Sequence, residues 1–219
     1  TLRHTLFPYT TLFRSTLRKE SGSDFGKHII PNAIEQGMRV FAYPYEGYWE
    51  DIGTIRAFYD VNLALTGPKP PFDFFAAEWP IYTRARYLPG SRVLDSTLTR
   101  VFMAPGCIMN KAAITDCVIG LRSIVKSGAH LHRVVMMGAD YYETEAQKEE
   151  NQRLGLPDMG VGPGSVIENA ILDKNVRIGR NVVIRDHARM EDEETDSYVV
   201  RDGIVVVPKG AVIPDHTVI

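Results

Sequence analysis

The sequence predicts a left-handed parallel β-helix in its C-terminal half, because apolar residues recur there at every sixth position. A period of six fits neither an α-helix, with 3.6 residues per turn, nor a single strand, with two. It is the period expected of a solenoid of short parallel strands, in which one side chain per face points to the axis. Four runs keep this spacing: Val166, Leu172, Ile178 and Ile184; Val207, Ile213 and Ile219; Phe102, Ile108 and Ile114; and Ile119, Val125 and Leu131. A second series keeps step with the first run: Ala170, Val176, Val182 and Ala188.

Two polar stretches interrupt the predicted solenoid. Residues 138–164 are charged and helix-prone in their middle, which predicts a loop that leaves the solenoid and returns to it. The acidic string Glu191–Asp196 is interpreted as a solvated turn, with a binding site as the alternative.

The chain before residue 67 has the pattern of a mixed α/β segment. Residues 23–37 predict a helix that Asp24 caps and Pro31 divides into two short pieces. Alternating apolar residues predict a strand over residues 38–45. Thr54 is expected to start an amphipathic helix that ends before Gly67.

Four segments are predicted from these patterns: 1–15, 16–66, 67–80 and 81–219. The first fifteen residues resemble a translated adapter sequence, so we expect them to be foreign and the natural chain to be truncated there. Residues 67–80 predict a semi-rigid linker because of their prolines. Its aromatic side chains are expected to pack between domains: Phe72, Phe74, Phe75 and Trp79. The solenoid is expected to fill residues 81–219.

The composition is that of an ordinary globular protein, with 44% hydrophobic and 24% charged residues. The net charge of −2 gives no indication of bulk nucleic-acid binding, and no run of 18 apolar residues suggests a membrane span. Cys107 and Cys117 are interpreted as small buried hydrophobic residues, with a disulfide or a metal site as the alternatives. A reducing, cytoplasmic location fits this pattern.

The segment around Asp51 is a candidate site, because it lies between a strand end and the start of a helix. A carboxylate there can hold a divalent metal near a phosphate, or it can simply cap the helix. The neighbouring Trp49 can stack on a sugar or pack in a core, and Asp24 has the same ambiguity as Asp51.

Basic residues of the solenoid form a second candidate site, for binding an anion. Exposed cations are usually only solvated, but a cluster would bind an anion such as phosphate. These cations are Arg84, Arg86, Arg122, Lys174, Arg177 and Lys209. A third candidate is His130 or His132 as the general base of an acyltransferase, a class in which hexapeptide solenoids are common.

Several strings resemble the glucose-1-phosphate adenylyltransferase (ADP-glucose pyrophosphorylase) family: SDFGKHIIP, GYWEDIGT, YTRARYLP, MMGADYYET and AILDKNVRIG. The resemblance extends from about Gly22 to Ile219. It implies the α/β C-terminal remnant of a Rossmann-like nucleotidyltransferase domain followed by the β-helix. It also implies the synthesis of ADP-glucose and pyrophosphate from ATP and glucose 1-phosphate with Mg²⁺, for glycogen or starch. The family's tetrameric assembly, as a homo- or heterotetramer, and its allosteric control by an anionic metabolite are implied as well.

The resemblance also assigns roles to individual residues. Asp51 matches the family's catalytic Mg²⁺ ligand, and Trp49, Asp24 and Phe25 match residues of the sugar pocket. Lys174 and Lys209 match lysines that bind activator phosphates. Arg86 matches an arginine that holds an anion. Arg84 matches a less constant position of the family, so its assignment to the anion site is weaker.

The family's glycine-rich ATP loop, its sugar-phosphate lysine and its other metal-binding aspartate have no match in this sequence. We therefore expect the chain by itself to be inactive, and residues 22–66 to lack most of their sheet partners. Three alternatives stay open: a guanylyl-, thymidylyl- or uridylyl-transferring relative, an acyltransferase, and a non-catalytic regulatory subunit.

Overall fold

The computed structural model describes residues 24–186 and 191–219, which fall into two compact units that meet in the sequence between Gly47 and Tyr48. Three sequence predictions lie outside the described residues: the foreign segment 1–15, the helix start at Ser23 and the inward-facing Ala188.

The first unit contains the two short helical pieces predicted around Pro31. A π-helical turn, Phe25–Ile29, leads directly into helix α1, Ile30–Glu35. The Asp24 side chain accepts a hydrogen bond of 2.7 Å from the backbone N–H of Lys27, so this residue caps the turn as predicted.

The predicted strand over residues 38–45 is wrong. Residues 38–54 contain neither a helix nor a strand, and most of residues 38–45 are exposed. Apolar alternation is not enough to form a strand, because its backbone N–H and C=O groups also need a neighbouring strand to bond. Within the described residues, this segment has no such neighbour.

In the second unit, helix α2 spans Ile55–Ala64 and begins where predicted. The Thr54 hydroxyl accepts a hydrogen bond of 3.1 Å from the backbone N–H of Ala57. Tyr59 and Leu63, one turn apart, form the buried stripe of this helix.

From residue 92 onward the strands of the second unit form a β-helix in which most strand pairs are parallel, as the six-residue period predicts. Its strands are β1 Arg92–Leu94, β2 Thr97–Met103, β3 Ile108–Asn110, β4 Ala113–Ile119, β5 Ile124–Val125, β6 His130–Met136, β7 Gly160–Val161, β8 Val166–Leu172, β9 Arg177–Ile178, β10 Val183–Ile184, β11 Glu193–Glu194, β12 Val199–Arg201, β13 Ile204–Val207 and β14 Val212–Ile213. The short strands stack in the order β1-β3-β5-β7-β9-β14. A second sheet, which contains the four seven-residue strands, has the order β11-β12-β13-β8-β6-β4-β2, and β10 pairs with β8.

The register gives the length of one coil. Arg92 pairs with Ile108, sixteen residues later, and Ile114 pairs with Leu131, seventeen residues later. Each seven-residue strand turns a corner at one residue with a positive φ. These corner residues are Arg100, Asp116, Arg133 and Asn169.

The corners explain which inward residues were predicted correctly. Most of the predicted positions are fully buried on the axis: Ile114, Ile119, Val125, Leu131, Leu172, Ile178, Ile184, Val207 and Ile213. The prediction that Val166 and Ile108 point to the axis is wrong, because their neighbours Ile167 and Met109 fill the axis instead. A coil of sixteen or seventeen residues with a left-handed corner shifts the alternation by one position relative to a strict count of six.

The axial position predicted for Phe102 is also wrong, since its side chain packs against the linker. Its ring lies 5.0 Å from that of Phe74, which lies 4.5 Å from Phe72. Phe72 and Phe74 thus pack within the second unit, whereas Phe75 and Trp79 are exposed, and packing of the linker aromatics between domains stays a prediction.

The predicted insert after Gly138 leaves the solenoid and carries helix α3, Glu145–Leu154, whose Thr144 and Gln147 form a capping box. The chain rejoins the solenoid at β7, four residues before the predicted Gly164. The acidic string is not a simple turn, because β11 pairs antiparallel with β12.

Two sequence predictions concern the chain as a whole. Cys107 and Cys117 are buried free thiols, which confirms their burial. Within residues 24–186 and 191–219, no helix combines the length and apolar character needed to cross a bilayer.

Candidate functional site

Asp51 and Trp49 lie in the irregular loop that leads into helix α2. Both side chains are exposed, and Trp49 keeps 74% of its surface accessible. The interpretation that Trp49 packs in a core is therefore wrong. Capping by Asp51 is wrong as well, because Thr54 caps the helix. The loop leaves the carboxylate and the indole ring available to a ligand.

Asp24 and Phe25 lie in the first unit, whereas Trp49 and Asp51 lie in the second. Asp24 accepts the capping bond from Lys27, and just over half of the Phe25 surface is exposed. The grouping of these four residues into one sugar and metal site stays a prediction.

The donor set around Asp51 fits Mg²⁺ in part. Mg²⁺ is usually held by one or two carboxylates together with substrate phosphates and water. An exposed Asp51 can supply one such oxygen. In the described part of the chain, no group of three or more His, Cys, Asp or Glu side chains is arranged to hold a metal.

The predicted effector residues converge on one open cleft of about 420 Å³. We call this the anion cleft, and it is lined by Arg84, Arg86, Leu121, Arg122, Met137, Ala139, Asp140 and Lys174. The Lys209 ammonium group reaches the same place, since its Nζ lies 2.8 Å from Oδ2 of Asp140. The structure therefore brings together all four residues that the sequence assigned to an anion site.

The parallel strands explain the part of this convergence that involves the lysines, whereas Arg84 and Arg86 lie in the irregular segment before β1. Arg122 follows β4, Asp140 follows β6, Lys174 follows β8 and Lys209 follows β13. These four strands are direct neighbours in one sheet. Residues placed just after their carboxyl ends must therefore meet at the same edge.

Asp140 is a component of the cleft that the sequence prediction missed. Its carboxylate binds Lys174 and Lys209, and both lysines hold the pKa of Asp140 far below its usual range. Its string, MMGADYYET, carries the family resemblance, but only the coil register places it beside the lysines.

Arg177, one of the six cations considered, has a structural role. Its Nη2 lies 2.7 Å from Oε1 of Glu143, and its Nη1 donates to the carbonyl of Pro157 at 2.7 Å. The Glu143 side chain is 4% exposed and also accepts from the backbone N–H of Met159. This cluster fastens both ends of the insert to the solenoid.

His130 and His132, the candidates for an acyltransferase base, are exposed on β6. His132 Nε2 lies 3.8 Å from Oδ2 of Asp116, and that carboxylate already makes two hydrogen bonds with Arg100. The carboxylate is thus engaged elsewhere, and neither histidine lines the anion cleft.

Comparison with known proteins gives two family matches. Residues 86–218 match the model of the GLGC left-handed parallel β-helix domain, and residues 9–67 match a nucleotidyl transferase model. A relative from Triticum aestivum is described as glucose-1-phosphate adenylyltransferase small subunit, chloroplastic/amyloplastic. It is 48% identical over 200 residues, which cover 90% of this chain and 42% of the relative. The chain thus spans about two-fifths of the relative's length.

Proposed function

Because the chain belongs to the family of the GLGC left-handed parallel β-helix domain, we propose that the protein that carries it is a glucose-1-phosphate adenylyltransferase. The reaction transfers AMP from ATP to glucose 1-phosphate and gives ADP-glucose and pyrophosphate. The nucleotidyl transferase match over residues 9–67 and the name of the wheat relative support this activity.

In this proposal Asp51 is a ligand of the catalytic Mg²⁺, and Trp49, Asp24 and Phe25 contact the sugar. The exposure of Asp51 in a loop that its helix cap does not need supports the first role. Bound Mg²⁺ would neutralise phosphate charge as the sugar phosphate attacks. Asp51 would hold the ion at the start of α2, where the Thr54 cap fixes the loop.

The regulatory part of the proposal carries the most structural weight. An anionic metabolite binds in the anion cleft through Arg84, Arg86, Lys174 and Lys209 and regulates the enzyme. The carrying observation is the convergence of these cations on one cleft, where the lysines follow two neighbouring strands and the arginines come from the segment before β1. Guanidinium and ammonium groups together are the usual partners of phosphate.

Assembly and location complete the proposal. We infer a homo- or heterotetramer, as the family resemblance implies. A cytoplasmic location is proposed from the sequence, whereas the wheat relative is described as chloroplastic/amyloplastic.

The activity is tested on the full-length protein that carries this chain. Pyrophosphate release from each of the four nucleoside triphosphates is measured in the presence of glucose 1-phosphate and Mg²⁺. We expect ATP to be preferred. In the same protein, D51N should lower the rate about a hundredfold, because a metal ion contributes several kcal/mol to such a transfer. D60N is the matched control, since Asp60 is an exposed carboxylate on α2 that pairs with Arg56. A preference for another nucleotide would indicate a related sugar nucleotidyltransferase, and no activity would favour a regulatory subunit.

The effector site is tested by K174A and K209A against a panel of phosphorylated metabolites. Activation should be lost while the unactivated rate is kept. K148A is the matched control, because Lys148 is also paired with a carboxylate, Glu145, at 2.7 Å but lies on helix α3. Loss of the basal rate in the two cleft variants would contradict an effector role.

A further inference from the structure

Asp140 occupies the lysine pair of the anion cleft in the way that a bound anion would. Its Oδ1 accepts a bond of 3.0 Å from Nζ of Lys174, and its Oδ2 accepts one of 2.8 Å from Nζ of Lys209. The two lysines follow different strands, β8 and β13, so one carboxylate bridges two coils.

Asn175 holds this carboxylate in place. Its side-chain amide donates a bond of 3.1 Å to Oδ2 of Asp140, and its Oδ1 accepts a bond of 2.8 Å from the backbone N–H of Asp140. The two bonds fix both the backbone and the side chain. The carboxylate is therefore oriented towards the lysines before any ligand arrives.

Asp140 and the two lysines stabilise each other in their charged forms. Lys209 and Lys174, followed by Asn175, keep the pKa of Asp140 far below its usual range, and Asp140 in turn raises the pKa of Lys209. The carboxylate is thus ionised at neutral pH, and the lysines that would bind an external anion are already paired.

The arginines of the cleft differ from the lysines. Arg86 donates to the backbone carbonyl of Arg84, and Arg122 donates to that of Ala139. In residues 24–186 and 191–219, no carboxylate lies within ion-pair distance of Arg84, Arg86 or Arg122. An incoming anion can bind these arginines directly, but at the lysines it meets charges that Asp140 already neutralises.

We propose that Asp140 is a built-in counter-anion that competes with the effector for Lys174 and Lys209. This inference rests on the effector site proposed above and adds how that site is controlled. A tethered carboxylate is present at a high effective concentration, so weak anions are kept off the lysines. A phosphorylated ligand gains contacts with the arginines and can take over the lysines as well.

The test is calorimetric titration of the 219-residue chain with inorganic phosphate. Asp140→Asn removes the charge, keeps the shape and leaves a side chain that Asn175 can still bond. We expect the variant to bind phosphate at least about tenfold more tightly than the wild type, since an internal competitor has been removed. Unchanged or weaker binding would overturn the inference, and weaker binding would show that Asp140 positions the lysines instead. If neither protein binds phosphate, the inference also fails.

Two controls separate this result from a failure of the proposed site. Glu150→Gln removes the same charge from an exposed carboxylate that pairs with Arg153 on α3, and it should leave phosphate binding unchanged. The double variant K174A/K209A should lose binding. If it binds like the wild type, the effector site itself is refuted. If it loses binding while D140N is unchanged, only the counter-anion role is refuted. Asp140→Ser, compared by thermal melting, serves in place of D140N should that variant be unstable.

Discussion

The hydroxyl group of Tyr59 donates a hydrogen bond of 2.6 Å to the backbone carbonyl of Arg133. It also lies 3.1 Å from Oδ1 of Asn169, which in turn accepts from Nε of Arg133. Arg133 and Asn169 are corner residues of two stacked coils. One buried side chain of helix α2 is thus fastened to two turns of the solenoid.

Removing this hydroxyl should lower stability. Burial raises the pKa of Tyr59 to about 12, so the group stays a neutral donor at all ordinary pH values. Y59F should lose about 1–2 kcal/mol of unfolding free energy, because the partly buried carbonyl of Arg133 is left without this donor. Urea denaturation measures the loss. Y198F is the control, since the Tyr198 hydroxyl makes a 3.3 Å bond to Glu193 at the exposed surface. Equal losses in both variants would contradict this account.

The buried pair of Glu143 and Arg177 should matter more than any surface pair. E143A removes the carboxylate that pairs with the Arg177 guanidinium and accepts from the Asn151 amide. We expect it to lower the unfolding free energy by about 3 kcal/mol, as is usual when one member of a buried ion pair is removed. E150A should change it by no more than about 0.5 kcal/mol, because the pair with Arg153 is exposed. A loss below 1 kcal/mol for E143A would refute the anchoring role.

Acid should weaken the attachment of the insert. Burial by itself would raise the pKa of Glu143, but the N–H of Met159, the Asn151 amide and Arg177 outweigh it, so the net pKa lies below its usual value. A carboxyl with a lowered folded pKa contributes stability above its unfolded pKa, about 4.3 for Glu. That contribution is lost as the pH falls through the folded value.

The urea midpoint should therefore be flat from pH 7 to about pH 5 and fall below about pH 4. Asp158 adds to the fall in the same direction, because Lys126 overcomes the effect of burial and lowers the pKa of Asp158. E143Q should flatten the acid branch of the curve. An unchanged acid branch in E143Q would assign the fall to other carboxyls.

The coil crossing at Gly138 should tolerate no side chain. Its φ is +92°, and a Cβ there would overlap the carbonyl oxygen of Leu121 on the neighbouring coil. Gly155, with a φ of +68°, has open space around the same position. G155A should cost about 1 kcal/mol of backbone strain. G138A should cost at least about 2 kcal/mol more, because it adds overpacking to strain. Comparable thermal melts for the two variants would show that the coils can separate at this point.

The sequence predicted the solenoid well because its axis is filled by a local repeat. Leu172, Ile178 and Ile184 follow that repeat and lie on the axis. Ile108 does not, because the left-handed corners change the count from one coil to the next. A single period cannot represent these shifts.

The site was predicted less completely, for two physical reasons. Lys174 and Lys209 were assigned through resemblance, but their partner Asp140 follows β6, whose Leu131 pairs with Ile167 across the whole insert. Pairing over such a separation leaves no local pattern in the sequence. The strand expected at residues 38–45 failed for the opposite reason, since its local pattern was present but no strand pairs with it in residues 24–186 and 191–219.

The face of the sheet that packs against helix α2 and the edge that forms the anion cleft belong to the same strands. Ile171 packs near Tyr59 and lies three residues before Lys174, and Val206 packs there three residues before Lys209. A displacement of either lysine would therefore be transmitted along its strand to the residues that support helix α2, which follows Asp51. Hydrogen exchange at the amides of α2, measured while phosphate is added, would detect this coupling as a change in exchange rate. The measurement needs no catalytic activity.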